Sequence, residues 1–163
     1  RQYLPELTEN IGINIEKICN AVHNLQSAED YIEQQLDLLL AHDVIWDFGT
    51  VCRFRYADYL NWHKEMKFRV LARLCRREYI PRAERILALV NALNTLPFTG
   101  ATLGGREIVL AYDWVWVVPE RISKRVQSRK LWAEFVLQHP LYKNIKMPHK
   151  AKLAILQKVG VKK

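Results

Sequence analysis

Apolar positions recur at helical spacing over most of the chain. Ile11, Ile15, Ile18, Cys19, Val22 and Leu25 fall on one side of a helix, with Thr8 as a suitable N-cap and Gly12 as a weak point. Ser27-Ala28-Glu29-Asp30 reads as a break and a new cap, because acids in a first turn complement the helix dipole. The second helix so started carries Ile32, Leu36, Leu39 and Leu40 on one side and Glu29, Glu33 and Asp37 on the other. The two helices are expected to pair antiparallel, with an acidic outer surface.

Asp43 to Gly49 holds apolar bulk without a clear period, and Gly49 suits a turn. From Val51 to Ile86 the pattern changes to basic and aromatic residues interleaved. At about 100° per residue, Arg55, Trp62, Arg69, Arg73 and Arg76 form one helical stripe. Tyr56, Leu60, Val70, Leu71 and Leu74 lie opposite. Lys64 and Lys67 interrupt that apolar arc, which calls for a bend near Asn61–His63 or for lysine stems that snorkel. Pro81 ends the stretch. A helix from about Arg82 to Leu96 then buries Ile86, Leu89, Val90 and Leu93.

Residues 97–118 are the one β-like region. Gly104-Gly105 fits a tight hairpin connection. The run IVLAYDWVWVV is rich in β-branched and aromatic residues. As one strand it places Ile108, Leu110, Tyr112, Trp114 and Trp116 on a common face; a buried helix is the rival reading. Pro119 opens a helix to about Gln138, with Ile122, Val126, Ala133 and Val136 inward and Arg121, Arg125, Arg129 and Trp132 in a row. Pro148 to Val159 reads as a last helix, capped by Gly160. The pattern therefore predicts a mainly α, compact single-domain helical bundle of five to six helices, all-alpha but for at most one small β-hairpin near 100–118. Its parts are an acidic helical pair (1–50), a basic-aromatic core (51–118) and a strongly basic C-terminal part (119–163).

Charge sharpens this picture. The 163 residues carry a formal net charge of +8, a balance that favours nucleic acid, an anionic surface or an acidic protein as partner. Nine acidic and two basic residues leave 1–50 at −7, whereas twelve basic and two acidic residues put 119–163 at +10. The two ends are suited to different partners. Cys19, Cys52 and Cys75 have no paired spacing, which fits a reduced intracellular compartment, cytoplasm or nucleus. No run of about 18 apolar residues is present, so neither membrane insertion nor a signal peptide is expected. The chain opens on Arg1, as an excised domain or processed product would.

Arginine offers a planar fork of donors matched to phosphate, and tryptophan offers a face on which a base can stack. The stripe Arg55, Trp62, Arg69, Arg73 and Arg76, the row Arg121, Arg125, Arg129 and Trp132, and the lysines Lys143, Lys146 and Lys150 are the candidate nucleic-acid-binding residues. The bland alternative is two solvated helix faces with each Trp at the edge of the core. Tyr112, Trp114 and Trp116 could also stack splayed bases, although aromatics beside Ile108 and Leu110 more commonly wall a core. Asp58 with Glu65 and Lys67 has the residue types of a metal nuclease, but a helix puts Glu65 and Lys67 about 200° apart. No metal-ligand spacing, P-loop or nucleophile elbow is found. The expectation is a basic protein that binds RNA or single-stranded DNA, with no cofactor, no metal and no catalytic residues. The alternative is an interaction module of a larger assembly, meeting a protein partner or another copy of itself through the acidic 1–50 surface.

Overall fold

Alternation, not helical periodicity, governs Val51–Arg55. In the computed structural model, which describes residues 14–76, 81–121 and 128–160, these five residues form strand β2. They sit in a five-stranded antiparallel sheet with β1 (Ile45–Asp47), β3 (Ala101–Leu103), β4 (Arg106–Ala111) and β5 (Trp114–Pro119). The strand order is β1-β2-β5-β4-β3. The expected all-alpha bundle with one small hairpin is therefore wrong: the fold is mixed, with helices built around a sheet. The reason is local. VCRFR puts Val51, Arg53 and Arg55 on one face and Cys52 and Phe54 on the other, a period of two that the longer arginine pattern downstream hid.

The run IVLAYDWVWVV is two strands rather than one. Tyr112 and Asp113 both adopt left-handed backbone (φ 55° and 64°), as a two-residue hairpin turn demands. Folding at that point changes the facing: Ala111 pairs with Trp114 and Val109 with Trp116, while Ile108 pairs with Val117. Directly opposed residues share a face. Trp114 and Trp116 thus side with Val109 and Ala111, not with Ile108 and Leu110. Gly104 and Gly105, also left-handed, connect β3 to β4.

Two compact units divide the chain, Arg1–Leu38 and Leu39–Lys163. The first contains most of helix α1 (Ile15–Asp43). Asn14 accepts a hydrogen bond from the Lys17 N–H, so the helix starts at a capping asparagine. Thr8 and Ile11 lie outside the described residues. The expected break at Ser27–Asp30 does not occur, and the acidic helical pair is one continuous helix. Ser27 turns its hydroxyl back onto the carbonyl of His23 at 3.0 Å, a bond made inside a helix rather than at a cap.

In the second unit, both faces of the central strands are covered. One face carries Val51, Trp116 and Val118, packed with Phe135, Met147, Ala151, Ala154, Ile155 and Leu156. These come from α5 (Ser128–Gln138), α6 (His149–Val159) and the segment joining them, which includes a 3-10 turn at Pro140–Tyr142. Cys52 and Phe54 point to the other face, toward α2 (Tyr56–Asn61), α3 (Lys64–Cys75) and α4 (Ala83–Leu93). There the Phe54 and Tyr59 rings lie 5.8 Å apart, and Tyr56 and Tyr59 donate to the carbonyls of Leu93 and Val90.

The interruption expected near Asn61–His63 is the junction of α2 and α3, where Trp62 and His63 are extended. Lys67 does not snorkel. It is buried, with Nζ donating to the Leu60 carbonyl at 3.1 Å and to Asn94 Oδ1 at 3.2 Å. A buried ammonium is tolerated because the carbonyl at the end of α2 and the Asn94 amide oxygen satisfy it.

Candidate nucleic-acid interface

The antiparallel register of β2 on β5 sets Arg53 opposite Trp116 and Arg55 opposite Trp114. All four side chains stand on one face, and they interleave. The Arg53 guanidinium lies 5.2 Å from the Trp116 ring and 4.8 Å from the Trp114 ring; that of Arg55 lies 5.5 Å from Trp114. Each approach is within cation–π range. Exposure rises along the ladder from Trp116 (0%) and Arg53 (9%) through half-buried Trp114 to exposed Arg55. A positive charge is thereby led out of the core to the surface on a stack of flat groups.

Two contacts hold the inner end. Arg53 Nε is 3.2 Å from Asp47 Oδ2, a charge contact rather than an aligned hydrogen bond, since neither atom has a hydrogen-bond partner. Asp47 Oδ1 accepts from the Tyr142 hydroxyl at 2.8 Å. Burial, reinforced by that bond to Asp47, raises the Tyr142 phenol above its ordinary pKa. Trp116 Nε1 donates to the Ala111 carbonyl, which fixes the indole beneath the ladder.

At the outer end the β4–β5 turn is tied to the start of α2, directly after β2, by a bond from the Tyr56 N–H to the Asp113 carbonyl at 3.0 Å. Beside this turn opens a cleft of about 450 Å³, lined by Arg53, Tyr112, Asp113, Trp114, Asn144, Ile145 and Lys146. Tyr112 is 57% exposed. A smaller cleft of about 270 Å³ includes Thr50, Arg121 and Lys158 in its walls and, among the described residues, no aromatic one.

The residues expected to bind are distributed otherwise than the sequence implied. Only Arg69 and Arg73 of the proposed stripe share α3, because Arg55 ends a strand, Trp62 is an extended junction residue and Arg76 follows the helix. Arg69 Nε is 2.7 Å from Glu65 Oε1, an i,i+4 pair on the helix surface. Trp62 is no open platform: its N–H donates to Asp43, and its ring packs on Phe54 and Tyr59. Trp132 stacks on Phe135 at 5.0 Å and carries Lys152 above it at 5.4 Å.

Arg121, Lys143 and Lys146 are exposed, whereas Lys150 pairs with Glu107. Arg125 lies outside the described residues, and Arg129 belongs to the first turn of α5. The described members on the helices, Arg69 and Arg73 of α3 and Trp132 of α5, lie on opposite sides of the sheet, α3 over Cys52 and Phe54 and α5 over Val51 and Trp116.

The sequence reading missed Arg53 and the role of the Tyr112-Asp113 turn. The signal for Arg53 was the alternation in VCRFR. No equivalent local signal marks a Tyr-Asp pair as a hairpin turn, since Asn-Gly or Gly-Gly is the usual choice there. No family model, no curated protein and no solved structure matches the chain.

Proposed function

We propose that this chain binds nucleic acid, RNA or a single strand in preference to a duplex. The observation that carries this reading is the guanidinium–indole ladder, which ends in exposed Arg55 over Trp114; Trp114 in turn walls the cleft that exposed Tyr112 and Lys146 also line. Arginine and lysine at that end suit phosphate oxygens, and exposed flat groups suit unstacked bases. The charge of +10 over residues 119–163 supplies the longer-range attraction. Arg121 and Lys143, both exposed, extend the cationic surface beyond the cleft. In this reading the centre of the site moves from the helix stripes to the β2–β5 face.

The test is polarisation binding of single- and double-stranded RNA and DNA over a salt series. Neutralising five to eight phosphates gives log K against log salt a slope of roughly −3.5 to −7. The single strand binds more tightly than a duplex of the same sequence. A slope near zero for every probe rejects the reading.

The exposed stripe Ile15, Ile18, Val22 and Leu25 on α1 favours a second reading, an interaction module whose acidic helix meets another chain. Light-scattering mass separates the two. Arg55→Glu with Lys146→Glu abolishes oligonucleotide binding at unchanged mass in the first reading. In the second, Val22→Glu with Leu25→Glu changes the mass or loses a partner.

A further inference from the structure

We infer that the cleft beside the β4–β5 turn holds one unpaired nucleotide of a strand, its base against Tyr112 and its phosphate on Lys146. The inference rests on the nucleic-acid reading and adds to it a ligand unit and a place. Three observations converge on it. The first is size: about 450 Å³ falls near the lower end of the roughly 300–1,000 Å³ usual for small-ligand sites. That is room for one nucleotide, not for a duplex.

The second is the turn. Tyr112 has φ 55°, a conformation in which a bulky residue is strained and glycine is not. The equivalent β3–β4 turn uses Gly104-Gly105. Phe48, the other aromatic at positive φ among the described residues, has its ring held by Phe135, His139 and Tyr142. Tyr112 has no ring partner among the described residues and is 57% exposed. Packing therefore does not explain why a ring occupies this position, and strain of this kind collects at binding sites.

The third is the buried cation. Arg53 lines the cleft while only 9% exposed, and its Nε has no aligned hydrogen-bond acceptor. Its buried Nε faces Asp47, which compensates the charge from the core side, so it is the terminal amino groups of the guanidinium that a ligand carbonyl or ring nitrogen would meet from the cleft side. Asp113 brings the opposite charge. It repels a phosphate from the turn and accepts from an exocyclic amine or a ribose hydroxyl, so the nucleotide enters base-first toward the turn with its phosphate at Lys146. Asn144, also in the lining, offers an amide to the base edge.

The experiment uses the full chain and four probes: a single-stranded RNA with one 2-aminopurine, the same strand in a duplex, a single-stranded DNA, and adenosine 5′-monophosphate. The variants are Tyr112→Gly and Lys146→Gln. Tyr112→Gly relieves the backbone strain while removing the ring, so lost binding cannot be put down to misfolding. It lowers single-strand affinity about 5- to 150-fold, the worth of one stacked base. The salt slope and the thermal midpoint do not fall, and the 2-aminopurine signal of bound strand disappears. Lys146→Gln makes the salt slope shallower by about one.

If Tyr112→Gly leaves single-strand affinity unchanged while binding stays salt-dependent, the cleft is not the nucleotide site, although the broader reading stands. If no strand binds, both fail. If the monophosphate binds through Tyr112 and the strands do not, the inference of a strand nucleotide is overturned.

Discussion

Tyr142 donates its hydroxyl hydrogen to Oδ1 of Asp47 across 2.8 Å, a bond between residues 95 positions apart. Asp47 is 3% exposed and has Arg53 at 3.2 Å from its other oxygen. The carboxylate thus joins β1, β2 and the segment after α5, and it compensates the one guanidinium carried into the core side of the ladder. Removing one member of a buried ion pair leaves an uncompensated charge, which costs about 3–5 kcal/mol. Asp47→Ala is expected to lose that much in urea unfolding. Tyr142→Phe is expected to lose about 1–2 kcal/mol, the scale of a hydrogen bond to a charged group at a half-buried site. The double variant falls short of the sum, because both changes act on one carboxylate. Stability of Asp47→Ala within 1 kcal/mol of the wild type would show that the pair does not hold the ladder.

Trp62 gives a contrast between packing and binding. Its indole N–H reaches Asp43 Oδ2 at 3.2 Å, and its ring sits 5.1 Å from Phe54. Trp62→Ala therefore removes stability, about 2–3 kcal/mol, somewhat below the range for a fully buried aromatic. Trp62→Phe keeps most ring contact and loses about 1 kcal/mol with the hydrogen bond. Neither substitution shifts the salt slope of oligonucleotide binding. A binding loss at unchanged stability in Trp62→Ala would return this residue to the interface.

The parts that could be read from sequence are those whose pattern is local and long. The helix with Ile86, Leu89, Val90 and Leu93 inward, the last helix ending at left-handed Gly160, and the Gly104-Gly105 connection all follow from period or turn chemistry. The sheet did not follow, for a physical reason. Its edge strand β1 has three residues and β2 has five, too few for period two to outweigh a helical pattern beginning at Tyr56. Cross-strand pairing of Cys52 with Val117 is a contact between distant segments, and nothing in either segment alone announces it. Of the proposed site, Arg55 and Lys146 were identifiable by charge. For Arg53 the alternation in VCRFR was the one local signal, and its place between two tryptophans comes from the register alone.

Two glycines, both left-handed, separate backbone freedom from space. At Gly104 (φ 58°) an added Cβ would stand 2.0 Å from the Cys75 carbonyl oxygen. The β3–β4 turn must then move off the end of α3. At Gly49 (φ 63°) nothing lies within 4 Å, so only the conformational penalty applies. Gly49→Ala is expected to cost about 1 kcal/mol, and Gly49→Asn less, since asparagine tolerates this region. Gly104→Ala is expected to cost more than about 3 kcal/mol, because a backbone atom cannot turn aside as a side chain can. Equal thermal midpoints for the two alanine variants would contradict the close approach of the turn to Cys75.

Alkali should unfold this chain through its buried thiols. Burial pushes Cys52 and Cys75 up from 9.0 to about 12, with Arg106 drawing each partly back. Between those values the unfolded chain has released protons that the folded chain retains. By linkage, the contribution of these thiols is complete below pH 9 and is lost as pH rises toward 12. Burial moves Tyr59 and Tyr142 up from 10.0 as well, so all four groups act in one direction. The thermal midpoint should hold steady below pH 9 and fall above it, and Cys52→Ala should make the fall shallower. The same burial separates the cysteines kinetically. Cys19 is exposed while Cys52 and Cys75 are buried, so a maleimide at pH 7.5 labels Cys19 at once and the other two only as fast as the fold opens. Mass spectrometry of a labelling time course reads this directly. Three thiols reacting at one rate, or a midpoint flat to pH 11, would mean that Cys52 and Cys75 do not lie in the core.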